Sequence, residues 1–249
     1  MVTNALIDQW MRDAEAPFQG WDFGYLDGRL VEDKPTWDYL ALARAAAAQS
    51  HDILDIDTGG GESFSRLAPF PGRAMAVEGY VPNLAVARGR LEPLGIPVIQ
   101  ADSASSLPFE DGLFDLVLNR HGSIAPAEIH RVLKRGGVLL TQQVGGDNLA
   151  DLAACFGAAP AWPDNTLEIV SGRLQGQGFE IRRAEAWRGP VTFSDVGTLV
   201  YFLKAIPWVV DGFEVERHLR VLEALQARLE SGHPLRFTAT RFLIDALKA

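Results

Sequence analysis

The chain has 249 residues, of which 47% are hydrophobic, 9% aromatic and 22% charged. This composition is that of a folded globular protein and excludes collagen-like, coiled-coil and disordered classes. The formal net charge of −9 disfavours general attraction to nucleic-acid phosphates or anionic lipid.

The single cysteine, Cys155, cannot form an intramolecular disulfide, and the five histidines do not show zinc-ligand spacing. The first residues lack a basic segment followed by an apolar stretch, and the most apolar later window, 199–210, is interrupted by Lys204 and Pro207. We therefore expect a cytoplasmic protein without a leader, a membrane span or a metal site.

From residue 51 onward, short apolar runs alternate with helix-length segments, which is typical of βαβ units around a mostly parallel sheet. The predicted elements in chain order are a strand at 53–56, a helix at 62–69, a strand at 73–77, a helix from Pro82, strands at 96–100 and 114–118, a helix at 126–133, a strand at 138–144, a helix at 165–177 and strands at 179–187 and 236–246. This order predicts a doubly wound α/β fold.

Two segments stand outside this repeat, and we expect a domain over 51–249 preceded by a helical, aromatic segment at 1–50. The aromatic residues that precede the alanine-rich helix of that segment include Trp10, Phe18, Trp21, Phe23, Tyr25 and Trp37. A helical insertion at about 190–235 also carries aromatic residues, among them Tyr201, Phe202, Trp208 and Phe213. These aromatic residues predict either a lid over a pocket or mutual packing.

The insertion also contains apolar residues three or four positions apart, as on one helical face. They are Val215, Leu219, Leu222, Leu225 and Leu229. The stripe predicts packing onto the domain, with a dimer seam as the alternative, so the chain is expected to be a monomer or a homodimer.

In an open parallel sheet, ligands bind beyond the carboxyl ends of the strands. Residues 55–62 form a glycine-rich turn after the first strand, where the backbone can approach a ligand closely. Glu78 ends the second strand, where a carboxylate can accept hydrogen bonds from ribose hydroxyls. Asp102 and Ser103 end the third strand and could read the edge of an adenine. Together they predict a pocket for an adenosine with a short charged tail.

These features resemble those of class I S-adenosylmethionine-dependent methyltransferases. The resemblance is carried, in order, by residues 53–62, 76–78, 100–102, 107–117 and 129–139. It implies a Rossmann-like, seven-stranded sheet with an antiparallel last strand, and S-adenosyl-L-methionine as cofactor. The cofactor-binding residues that it implies are Asp55, Asp57, Thr58, Gly59, Gly61, Glu78, Gly79, Asp102, Ser103 and Asn119.

One residue departs from the family pattern: Asp57 stands where the first glycine of the turn is usual. A carboxylate there would repel the carboxylate of the cofactor and attract its ammonium or sulfonium group. His121 is the candidate general base because an unperturbed imidazole titrates near neutrality, and the alternative is a histidine that only binds its loop. Gln142 and Gln143 are candidates for orienting a substrate, although alternation sends them to opposite faces.

We expect a small-molecule acceptor. RNA methylation is the nearest alternative, but the acidic charge disfavours it, and Arg182, Arg183 and Arg188 form only a modest basic cluster. A non-catalytic binding module of the same fold is a further alternative, to which Asp57 lends support. A nicotinamide dehydrogenase shares the βαβ pattern, but the segments around Asp102 and 107–117 disfavour it.

Overall fold

The computed structural model describes residues 2–18 and 23–249, so Trp21 of the predicted aromatic segment lies outside the described residues. The chain forms two compact units. Unit 1 contains residues 1–35, 145–164 and 187–240, and unit 2 contains residues 36–144, 165–186 and 241–249. The segment 1–50 is thus divided between the two units after Pro35.

The structure confirms the predicted mixed α/β architecture. The strands are β1 (Leu30–Glu32), β2 (Asp52–Ile56), β3 (Arg73–Glu78), β4 (Val98–Gln100), β5 (Phe114–Arg120), β6 (Leu133–Val144), β7 (Phe179–Phe193) and β8 (Leu235–Lys248). The α-helices are α1 (Asn4–Glu15), α2 (Tyr39–Ala47), α3 (Glu62–Ser65), α4 (Val81–Leu91), α5 (Pro126–Val132), α6 (Ala150–Cys155), α7 (Leu167–Gly176), α8 (Val196–Ala205) and α9 (Leu219–Glu230).

The strand order is β1-β7-β8-β6-β5-β2-β3-β4. In unit 2, β2 pairs in parallel with both β3 and β5, and β5 pairs in parallel with β6. The last strand, β8, is antiparallel to β6, as predicted. The described sheet has eight strands instead of seven, because Leu30–Glu32 pairs with the end of β7 inside unit 1. Three residues are too few to show the alternation that identifies a strand from sequence.

Some element bounds differ from the predictions. The helix predicted at 62–69 is only the four-residue α3, and Pro69 and Pro71 follow closely after it. The strand predicted at 179–187 extends to Phe193. Helix α4 begins at Val81 with Pro82 in its first turn, as expected for a residue without an N–H group.

The core of unit 2 lies on both faces of the central strands. Leu54, Val117 and Leu139 are buried register partners on one face, and Ile53 and Leu116 are buried register partners on the other face. Strands covered on both faces read as continuous apolar runs, which is why this part of the fold is predictable.

Unit 1 has its own core, built largely around α8. Val215, Leu222 and Leu225 are buried in this core, and Leu219 and Leu229 pack against it. The predicted packing of the leucine stripe is therefore confirmed. Tyr201, Phe202 and Phe213 of the insertion are buried in the same core, whereas Trp208 is exposed.

A buried carboxylate connects three segments of unit 1. Asp13 on α1 is only 1% exposed and accepts a hydrogen bond of 2.6 Å from the hydroxyl of Tyr25. The guanidinium of Arg29 lies 3.5 Å from Asp13 and 3.1 Å from Asp195, the N-cap of α8. Gly197 leaves room for this cluster, since a Cβ atom there would overlap the Asp13 carboxylate.

None of the helices in residues 2–18 and 23–249 is long and apolar enough to cross a membrane. Within the same residues, there is no group of three or more histidine, cysteine or acidic side chains that could hold a metal ion.

Candidate functional site

The topology of unit 2 places a crevice at the carboxyl ends of β2 and β5. From β2 the chain continues to β3 and β4 on one side, whereas β5 and β6 lie on the other side. This reversal of strand order is the point at which open α/β sheets bind ligands. The pairing register brings Ile56 of β2 opposite Val77 of β3 and Asn119 of β5. Residues that follow these strands are therefore neighbours in space.

The glycine-rich turn after β2 depends on left-handed backbone conformations. Gly59 has φ 63° and Gly61 has φ 78°, values that glycine adopts without steric cost. A Cβ atom at Gly61 would lie 2.8 Å from the Leu91 side chain, so this glycine also permits close packing against α4. The turn brings the backbone N–H of Gly59 to the end of β3.

Glu78, at the end of β3, receives two backbone hydrogen bonds. Its carboxylate accepts one of 2.7 Å from the N–H of Gly59 and one of 2.7 Å from the N–H of Tyr80. The residue is only 4% exposed, and burial raises the pKa of its carboxyl group despite these two bonds. A carboxylate oxygen has two lone pairs, so each oxygen can accept a further bond from a ligand hydroxyl.

Asp57 connects the loops that follow three different strands. Its carboxylate accepts hydrogen bonds from the Ser103 hydroxyl, at 2.7 and 2.8 Å to its two oxygens, and from the Ser123 N–H at 2.7 Å. Gly122 is needed beside it, because a Cβ atom there would lie 2.5 Å from the Asp57 Cβ. Burial raises the pKa of Asp57, although these bonds oppose the shift. The predicted departure from the family pattern therefore has a defined structural role.

Asp55 and Thr58 are buried next to this group. Burial, together with the negative charges of Asp57 and Glu78, raises the pKa of Asp55 to about 7. Asp102 is exposed after β4, and one of its oxygens accepts a bond from the Ala104 N–H. The carboxylates of Asp55, Asp57 and Glu78 are therefore electrostatically coupled.

Asn119, like Glu78 and Asp57, already binds protein groups, and both ends of its side-chain amide are engaged. Its side-chain nitrogen donates to the backbone oxygens of Ile56 and Ser123, and its oxygen accepts from Thr141 and Gln143. Apart from the exposed Ser123, the members of this network are buried, and they join the ends of β2, β5 and β6. Thr141 was not predicted to take part, because a lone threonine within an apolar strand carries no distinctive signal.

His121 follows β5 in a left-handed conformation with φ 63°. Its Nε2 atom lies 3.0 Å from the side-chain nitrogen of Gln142, whose oxygen accepts a 2.8 Å bond from the indole N–H of Trp37. Burial and the positive charges of Arg120 and Arg241 lower the pKa of the imidazole well below its ordinary value. Trp37 was grouped with the aromatic segment from sequence, and its link to His121 was not foreseen.

The geometry of this crevice can be compared with known proteins. Residues 54–141 match a family model described as a methyltransferase domain. The matched residues lie within unit 2. No curated relative matches the chain.

Solved structures of low sequence identity share the fold of this chain. A proposed methyltransferase from Bacillus halodurans aligns over 85% of this chain and 98% of its own, with 21% identity and a TM-score of 0.63. The cyclase SpnF aligns over 98% of this chain and 92% of its own, with 17% identity and a TM-score of 0.54. A geranyl diphosphate methyltransferase in complex with GPP and sinefungin aligns over 84% of this chain and 76% of its own, with 15% identity and a TM-score of 0.52.

All the residues predicted to bind the cofactor, and His121, lie inside the segment that matches the family model. Trp37 and Gln142 lie outside the matched segment. The bonds from Trp37 to Gln142 and between Gln142 and His121 therefore involve residues beyond the matched segment.

The candidate basic cluster of the sequence is neutralised by local partners. Arg182 pairs with Asp245, Arg183 with Glu185, and Arg188 with Asp147. A guanidinium that is held by a carboxylate is less available to a phosphate group.

Proposed function

We propose that this protein transfers a methyl group from S-adenosylmethionine to a small-molecule acceptor. The observation that carries the proposal is Glu78: a buried carboxylate at the second strand end, held beside the glycine-rich turn by the N–H groups of Gly59 and Tyr80. This arrangement provides oriented acceptors for a pair of ribose hydroxyls at the switch point of a methyltransferase domain.

The residues present suit the remainder of such a cofactor. Gly59 and Gly61 let the backbone pass close to a ligand, and Asp102 stands exposed at the neighbouring strand end. Asp57 supplies a negative charge close to the turn, which favours a ligand with sulfonium and ammonium groups. The cofactor would supply an activated methyl group, so the chain chiefly has to align an acceptor and exclude water.

A small acceptor is favoured over RNA by charge. The chain carries a net charge of −9, and each arginine of the cluster at 182–188 has an acidic partner. A salt-dependent RNA complex would require a track of unengaged basic side chains.

Asp57 also favours a second candidate, a binding module that has kept the fold without the reaction. Its carboxylate ties the loops at Ser103 and Ser123 together, which could close the site to a ligand that carries its own carboxylate. The two candidates make opposite predictions for cofactor affinity.

Calorimetric titration of the wild-type chain with S-adenosylmethionine, S-adenosylhomocysteine and NAD tests the proposal. We expect micromolar affinity for the first two ligands, and a Glu78→Ala affinity weaker by about 10- to 150-fold, equivalent to about 1.5–3 kcal/mol for charged hydrogen bonds. Glu168→Ala, at an exposed position on α7, is the matched control and should bind like the wild type.

Preferential binding of NAD would overturn the methyltransferase proposal. Absence of S-adenosylmethionine binding in the wild type, with binding restored in Asp57→Gly, would favour the non-catalytic module. Unchanged affinity in Glu78→Ala would reject the ribose-binding role of that carboxylate.

A further inference from the structure

Three residues from separate parts of unit 2 form a chain of side-chain hydrogen bonds. The indole N–H of Trp37, in the turn before α2, donates to Gln142 of β6 over 2.8 Å. The side-chain nitrogen of Gln142 lies 3.0 Å from Nε2 of His121, in the loop after β5. The backbone N–H of His121 also donates to the backbone oxygen of Gln142 over 2.8 Å. Trp37 and Gln142 are both buried.

The chemistry of these groups fixes the direction of each bond. An indole N–H can only donate, so the Gln142 atom that faces Trp37 is the amide oxygen. The amide nitrogen of Gln142 must then face His121 with its hydrogen atoms. The Nε2 atom of His121 therefore accepts this bond, and the proton of the neutral ring resides on Nδ1.

This arrangement conflicts with the role of a general base. The basic lone pair of the ring, on Nε2, is occupied by an amide of the protein. Protonation of Nε2 would place two donors face to face, and the charged groups around the ring, Arg120 and Arg241, are both positive. Consistent with this geometry, burial and these two charges keep the pKa of His121 low.

We propose that Trp37 and Gln142 are positioning residues that hold His121 as a neutral hydrogen-bond donor, so that its Nδ1–H selects an acceptor molecule with an anionic oxygen or sulfur atom. The ring of His121 is part-buried where its Nε2 atom meets Gln142, while the residue as a whole is exposed at the surface of its loop. Within the described part of the chain no hydrogen bond engages its Nδ1 atom. The assignment of the ligand to the acceptor side rests on the proposed methyl transfer.

This role has a direct chemical consequence. An acceptor atom that is already anionic at neutral pH can attack a sulfonium methyl group without losing a proton to the protein. The N–H donor would orient this atom, and the nearby arginines would favour its negative charge. The site would accordingly accept carboxylates, acidic phenols or thiols in preference to protonated amines.

The tautomer of His121 can be measured without cofactor by two-dimensional 1H–15N NMR on protein labelled at histidine nitrogens. His121→Asn assigns the His121 signals, and His130→Ala, on α5, is the control that should leave them unchanged. We expect the wild-type ring to show a protonated Nδ1 and an unprotonated Nε2 from pH 6 to pH 8. An Nε2–H tautomer, or titration near the ordinary pKa of histidine, would overturn the proposal.

Two variants test the positioning residues. Trp37→Phe removes the donor that orients Gln142, and should give a mixture of tautomers and a higher His121 pKa. Gln142→Glu replaces the amide donor with an acceptor, and should move the proton to Nε2. An unchanged His121 tautomer in a folded sample of either variant would overturn the positioning role.

Ligand selection is tested with benzoate and benzylammonium as probes of opposite charge. Benzoate should shift the Nδ1–H signal of His121, and benzylammonium should not. Benzoate should bind about fivefold more weakly to His121→Ala, whereas His121→Asn, which has a donor at the position of Nδ1, should stay within about twofold of the wild type. A larger response to benzylammonium, or no response to either probe, would overturn the acceptor selectivity.

The failure of this inference is distinguishable from failure of the proposed function. The tautomer and the benzoate response are measured without S-adenosylmethionine, whereas the proposed function depends on calorimetry with that ligand. A chain that binds the cofactor but shows the Nε2–H tautomer would retain the methyltransferase proposal and lose only the donor role.

Discussion

The carboxylate of Asp57 should stabilise the loop after β5, and its removal gives a local, measurable effect. Asp57→Gly deletes the acceptor for both Ser103 and Ser123 while tolerating the backbone φ of 56° without strain. The two lost bonds differ in cost because their donors differ in exposure. Ser103 is only 5% exposed, whereas Ser123 lies at the surface, where water can replace the carboxylate.

The expected magnitude follows from this difference. Loss of a charged hydrogen bond at the buried Ser103 hydroxyl costs about 1.5–3 kcal/mol, and the solvated Ser123 N–H adds little. The glycine adopts the left-handed backbone without strain, and this gain offsets part of the lost hydrogen-bond energy. The loop after β5 is joined to Asp57 through the solvated Ser123 N–H, so we expect it to open more easily by up to about 1 kcal/mol, which corresponds to up to about fivefold faster amide exchange at Ser123.

Hydrogen exchange followed by NMR measures this opening residue by residue. The amide of His121 is a control within the same loop, because it donates to the Gln142 backbone oxygen and not to Asp57. Its exchange should change much less than that of Ser123. Equal exchange of the Ser123 amide in the wild type and in Asp57→Gly would refute the idea that this carboxylate ties the loops together.

Three further predictions concern other carboxylates. Glu78→Gln retains an acceptor but loses the charge, so cofactor affinity in calorimetry should fall less than in Glu78→Ala; an equal loss would mean that the charge alone matters. The folded-state pKa of Asp55, about 7, exceeds its ordinary value of 3.8, so its protonation stabilises the fold at low pH and this stabilisation is lost as the pH rises through 7. In urea unfolding, the free energy of unfolding should fall by up to ~1.4 kcal/mol per pH unit between pH 5 and pH 7, and Asp55→Asn should reduce this fall. An identical fall in the variant would contradict the assignment. Asp13→Ala leaves the half-buried Arg29 without its buried partner and should lower the free energy of unfolding by about 3–5 kcal/mol. Asp195→Ala removes a more exposed ion pair together with the N-cap of α8 and should cost about 0.5–2 kcal/mol, so an equal or larger loss in Asp195→Ala would contradict this ranking.

The parallel core was predictable because its physical signal is local. Residues 53–56 and 114–118 are short apolar runs ending in polar residues, and the structure places both in parallel pairing at the centre of the sheet. The turn at Gly59 and the carboxylate of Glu78 were predictable for the same reason, since each lies at the carboxyl end of a strand. The three-residue strand Leu30–Glu32 was not, because its formation depends on the edge offered by β7.

The partners of the site residues were less predictable than the residues themselves. The departure at Asp57 is visible in the sequence, but its bonds to Ser103 and Ser123 span 46 and 66 positions along the chain. The bond from Trp37 to Gln142 spans 105 positions. No local pattern encodes such pairs, since they exist only once the sheet has set the register of its strands.

Backbone conformation supports the view that these long-range partners define the site. Asp57 and His121, two non-glycine residues with positive φ, follow the adjacent strands β2 and β5. Left-handed backbone costs such residues energy unless surrounding contacts hold it. Asp57 is held by two serines, and His121 by Gln142. Their side chains are therefore fixed by the same bonds that maintain the strain. A substitution that breaks these bonds should relax both loops, which is why a site at this crevice depends on residues as distant in sequence as Trp37.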